Sequence, residues 1–207
     1  MTSTKTITAR PGSRAAQLAT LTAVLVALAG ASAIVWNASY SSFSATTTNG
    51  SNSWSAGTVS IADDDSGSAM FTATNLKPGS TGSRCIVVTS SGSLPGTVKL
   101  YGTSASTTQA LSSSINLTVS LGTGGSFGGG CGAFVADPTN PTVYATGSLA
   151  SFASSSTGFA TGAGTWAPAG GTVARTYKFD YTVDPAAPSS TAGGTAAITF
   201  VWEEQNS

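Results

Sequence analysis

The chain has 207 residues and a mass of 20.3 kDa, which suits one ordinary domain plus a targeting segment and leaves no room for two full domains. Its 33 Ser, 32 Thr and 25 Gly favour strands, turns and loops and exclude an all-helical fold. Charged residues make up 8% against roughly a quarter in an average globular protein, hydrophobic ones make up 40%, and histidine is absent, so charge-driven disorder, His-based metal sites and Ser-His-Asp or Cys-His catalysis are excluded.

The formal charge of zero hides an asymmetry. Lys5, Arg10 and Arg14 all precede the first acid, Asp63, whereas beyond residue 42 there are 5 basic and 8 acidic residues, a net charge of −3. Such a body has no electrostatic footprint for nucleic acid. After the basic start, Leu18 to Val35 is an uncharged, mostly apolar run of 18 residues, interrupted by Thr20, Thr22, Gly30 and Ser32. That is borderline against the roughly 20 needed to span a bilayer. A basic n-region before an apolar h-region reads as a secretory signal over residues 1–42, cut after Ala31-Ser32-Ala33 or near Ser39 to Ser42, with a retained anchor as the lesser alternative. Membrane contact is then confined to the uncleaved signal. An even cysteine count, Cys85 and Cys131, agrees with export to an oxidising compartment and with one disulfide.

From Phe43 onward, alternating segments recur between Gly, Pro, Ser and Asp clusters, the pattern of many short strands in a sandwich. The first body strand is expected over Thr58 to Ala62, with Val59 and Ile61 on one face, and a second over Ala69 to Leu76, ended by Lys77-Pro78-Gly79. Arg84 to Thr89 is apolar at nearly every position, as a strand buried on both faces would be, and Thr97 to Tyr101 follows a Gly-Ser-Leu-Pro-Gly turn. Ser114 to Leu121 alternates cleanly, placing Ile115, Leu117, Val119 and Leu121 inward. Gly122 to Gly132 is a loop in which eight of eleven residues are Gly or Ser, and a bridge from Cys131 to Cys85 would restrain it. Gly147 to Ser154 suits one helical turn with Leu149 and Phe152 inward. Arg175 to Asp184 and Ala196 to Glu203 close the chain as aromatic-rich strands.

Chemistry is sparse. Asp63-Asp64-Asp65-Ser66-Gly67 invites a calcium reading, since carboxylates at alternate positions before a glycine suit a hard cation. An EF-hand would need Glu at the twelfth loop position, where Thr74 stands, so a polar turn is the favoured reading, with Asp63 and Asp65 as the metal candidates that remain. Glu203 and Glu204 are adjacent on a strand and point to opposite faces, so they cannot flank one bond and read as a solvated terminus. The glycine-rich loop lacks the strand-to-helix context of a phosphate cradle. Trp202 reads as core, while Trp54 and Trp166 are candidates for an aromatic surface.

Three stretches in order carry a resemblance: Phe43 through Trp54-Ser-Ala-Gly57-Thr-Val59-Ser-Ile61, then Asn75-Leu76-Lys77-Pro78-Gly79, then Ile198-Thr-Phe200-Val-Trp202-Glu203. Together they resemble the camelysin/TasA family of Gram-positive bacteria, exported with a signal cut by a dedicated peptidase, SipW. The resemblance implies a jelly-roll β-sandwich and secretion to the cell surface or biofilm matrix. It also implies assembly into fibres, in which an N-terminal strand of one subunit completes the sheet of the next. Residues 43–54 would be that donor strand, residues 55–207 the sandwich, and Phe43, Trp54, Val59 and Ile61 the assembly residues. Camelysin's metalloprotease label does not carry over, because no His exists to build HExxH.

The sequence therefore leads to an exported structural protein rather than an enzyme, without cofactor, whose partners are its own copies, accessory matrix proteins and, during export, a signal peptidase. The alternative is a monomeric surface module that binds glycan or protein through aromatics such as Trp166.

Overall fold

The structure is a computed structural model that describes residues 44–48 and 60–206; the segment read as a signal and the candidates Phe43, Trp54 and Val59 lie outside them. The described residues form an antiparallel β-sandwich with one short α-helix, the fold class expected from the sequence. One sheet is ordered β1-β9-β4, from β1 (Ser44–Thr48), β9 (Ala196–Asn206) and β4 (Gly96–Thr107). The other is ordered β2-β3-β8-β5, from β2 (Ile61–Asp63), β3 (Thr81–Ser90), β8 (Val173–Val183) and β5 (Ile115–Thr123). Beyond β5 lie two short partners, β6 (Val135–Ala136) and β7 (Thr142–Ser148).

Period-two patterning explains the central strands. On β5, Ile115, Leu117, Val119 and Leu121 are all buried, as expected, and Tyr177, Phe179 and Val183 on β8 join them. The sheets meet through aromatic pairs, Phe179 against Phe200 at 4.7 Å and Tyr177 against Trp202 at 5.6 Å between ring centres. The helix Leu149–Ser155 starts on Ser148, whose Oγ accepts from Ser151 N at 3.0 Å. Its Leu149 and Phe152, three residues apart and both buried, turn into the core, where Phe152 meets Tyr144 edge-on at 5.0 Å. Among the described residues no helix is long and apolar enough to cross a membrane.

Several expectations change in detail. Ala69 to Leu76 is no strand: it crosses the sandwich edge as irregular chain, with Asn75 at φ 55° and the Met70 carbonyl taken by Arg84 Nε at 3.1 Å. Residues of mixed small character there are held by side chains from neighbouring strands rather than by a ladder. On β3, Ile86, Val88 and Ser90 face the core, and Cys85 is buried on the opposite face by its disulfide to Cys131 in the glycine-rich loop, with Cα atoms 5.3 Å apart. Trp166 is 6% exposed and packs on Tyr177, so it is a core residue and not part of an aromatic surface.

Candidate functional site

The features that bear on function lie at the sheet edges. Any strand edge presents unpaired N–H and C=O groups that invite another strand, and folds commonly block it. The free side of β4 is blocked from Gly96 to Gly102. Gly96 N, Val98 N, Leu100 N and Gly102 N donate to the carbonyls of Pro168, Trp166, Ala163 and Ser156 at 2.8–3.0 Å. Lys99 Nζ clamps the same strap by donating to Gly164 O at 2.6 Å. The strap carries no periodic pattern, so it was not visible in the sequence.

The opposite edge is different. β1, within the segment read as a donor strand, pairs antiparallel with β9 of its own chain, Ser44 opposite Gln205 through Thr48 opposite Val201. It therefore covers only half of β9. Among the described residues, Ala196–Phe200 of β9 have β4 on one side and no strand on the other. Beside that bare half lies an apolar cavity of about 420 Å³ between the sheets. Met70 and Phe71 from the irregular 69–76 segment, Ile115 and Leu117 from β5, and Ile198 and Phe200 from β9 line it, and no lining residue carries a charge. β1 enters the sheet at the Gln205 end, about 23 Å along β9 from Ile198 at the usual strand rise.

Of the expected assembly residues, Ile61 is described: it is 3% exposed and belongs to the core at the start of β2. Two acidic clusters complete the picture. Glu204 was read as part of a solvated terminus, and the structure corrects this. It is fully buried, and its Oε1 accepts from the buried Ser90 Oγ of the facing sheet at 3.0 Å. Burial pushes its carboxyl above the usual range, and the Ser90 hydrogen bond opposes that shift. Glu203, on the other face as expected, accepts from Tyr101 Oη and Gln205 Nε2, each at 2.9 Å.

In the turn after β2, the two oxygens of Asp64 accept from Val87 N at 2.7 Å and Phe127 N at 2.9 Å, pinning the glycine-rich loop to β3. Asp65 is buried, and burial, then the neighbouring Asp63 and Asp64, push its pKa up to about 6 against one opposing hydrogen bond from Gly67 N. Among the described residues no group of three or more Asp, Glu, Cys or His gathers as a metal site.

The chain matches no protein-family model, and no curated protein is similar to it.

Proposed function

We propose that the protein is an exported structural subunit of the cell surface or extracellular matrix, of the camelysin/TasA kind its sequence resembles. In this reading copies join by adding the N-terminal segment of one, residues 43–54, to the sheet of the next. The observation that carries this reading is the placement of Ser44–Thr48 as an edge strand on half of β9, whose other half has no strand beside it among the described residues and adjoins an apolar cavity. A terminal strand on an edge can leave and be replaced by the identical strand of a neighbour at little cost, since the same main-chain hydrogen bonds are remade. Main-chain pairing supplies affinity in such strand addition, and side-chain pockets supply specificity. The blocked β4 edge directs any addition to the β9 side. The basic, then apolar, N-terminal segment supports export, and the disulfide suits an oxidising compartment.

The test is assembly of the purified secreted protein, followed by light scattering and electron microscopy. Full-length mature protein is expected to form fibres, and a variant lacking residues 43–54 to remain monomeric. Equal assembly by both would remove strand addition by this segment.

A further inference from the structure

The apolar cavity beside β9 has a polar end. It measures about 420 Å³, within the roughly 300–1,000 Å³ typical of small-molecule sites. Two side-chain hydroxyls line it, those of Thr72 and Tyr181. Both also line a second cavity of about 240 Å³, which shares Met70, Phe71 and Ala73 with the first. Phe71 and Tyr181 meet edge-on at 5.2 Å and so border both spaces, and Tyr181 lies across β3 at Gly82, where a Cβ would strike its ring. Among the residues lining either cavity, Arg84 in the second is the one that carries a charge. It shares the parity of Ile86 and Val88 on β3 and therefore stands on the core-facing side of the sheet, yet it is exposed. Its Nε donates to Met70 O at 3.1 Å, and no carboxylate pairs with it among the described residues. The two spaces thus pass from apolar side chains, through two hydroxyls, to one cation.

We propose that these adjoining cavities bind one long-chain carboxylate, its alkyl chain in the apolar cavity and its head on Arg84. Burial drives the chain inward, since aliphatic and aromatic side chains such as Leu76, Ile115, Leu149 and Ile198 make up the rest of the larger cavity. Its volume suits a single chain rather than the paired chains of a bilayer lipid. Met70, unbranched and able to adapt its shape, lies where the two spaces join. Charge selects the head. The Arg84 guanidinium spends one N–H on Met70 O and keeps the others, in a planar fork that matches a carboxylate. The proposal does not rest on strand addition: it uses cavity side chains and Arg84, whereas strand addition uses the main chain of Ala196–Phe200.

The experiment is calorimetric titration of the purified, delipidated secreted protein with dodecanoate below its micelle concentration. Dodecyltrimethylammonium, with the same chain and the opposite charge, and butyrate, with the same head and a short chain, serve as controls. The wild type is expected to bind one dodecanoate, about tenfold or more tighter than the cationic analogue, as a charged hydrogen bond at the head would give, and to show no saturable binding of butyrate. Arg84→Gln is expected to lose the preference between the two heads, and Ala196→Leu, which fills part of the larger cavity, to weaken dodecanoate binding. Circular dichroism and melting curves check that both variants keep the fold. Absence of saturable dodecanoate binding by the wild type overturns the proposal, as does equal affinity for both heads. Binding left unchanged in both variants places the ligand elsewhere and overturns it too. If dodecanoate binds only once residues 43–54 are removed, the cavity belongs to that segment and not to a ligand.

Discussion

At the scale of single residues, Glu204 sets a testable dependence on pH. Its carboxyl titrates above its ordinary 4.5 in the folded protein because it is buried, so the folded state binds this proton more tightly than the unfolded chain does. The stability this group contributes is therefore present below the ordinary value and lost as pH rises through the folded one. Glu204→Gln, which keeps an acceptor for Ser90, is expected to melt higher than wild type at pH 7.5 and to converge with it near pH 4. Melting curves across that interval check it; equal differences at both ends would show that Glu204 does not titrate on folding. Ser90→Ala removes the donor to Glu204 Oε1 and is expected to cost about 1.5–3 kcal/mol near neutrality. In the Glu204→Gln background the cost should shrink, which a double-mutant cycle in urea would measure. The burial of Glu204 was legible in principle. It shares the parity of Ile198, Phe200 and Trp202 on β9, and only its charge and nearness to the chain end argued against an inward position.

At the scale of elements, the strands with clean alternation were readable because burial on one face leaves its mark at every second residue. β5 is the clearest case, with four apolar residues inward, and the helix was readable from Leu149 and Phe152. The 69–76 segment and the 156–168 strap were not, because each is fixed by hydrogen bonds to distant strands and their sequences carry no period. The glycine-rich loop lies between these cases: its composition declared it a loop, and its anchors are the disulfide and Asp64. Replacing Cys85 or Cys131 by Ser is expected to destabilise the fold by about 3–4 kcal/mol in the chain-entropy account. It should also open the loop to proteases, while the far-ultraviolet β signature persists on the ladders of β3, β8 and β5. Urea unfolding and limited proteolysis provide the measurement, and unchanged cleavage at residues 122–132 would show that Asp64 alone suffices to hold the loop.

At the scale of the whole molecule, the same edge logic explains how a surface of Ser, Thr and Gly with few charges can stay specific. Charge is the usual guard against edge-to-edge pairing, and this chain has little of it to spend. Other devices stand in its place. On the larger sheet, one flank carries the three-residue β2, beyond which Thr81–Val87 of β3 have no strand beside them among the described residues, and the other carries the two-residue β6 and β7, a strand with two register shifts, all poor templates for pairing. Among the described residues the cavity and the uncovered half of β9, Ala196–Phe200, sit together at one edge, so open main chain adjoins an apolar opening. Neither was legible in the sequence, since both depend on several separate segments coming together rather than on any one segment's pattern.

The strap along β4 also limits where a rigid copy can engage neighbours. The strap seals one flank of the smaller sheet, and among the described residues Ala196–Phe200 of β9 and Thr81–Val87 of β3 have no strand on their outer side. On the proposed reading, growth adds residues 43–54 of one copy to the β9 edge of the next, so that each copy both gives and takes a strand. On that reading a chain without residues 43–54 can take a strand but not give one, and substoichiometric amounts of it should shorten the fibres that the mature protein is proposed to form.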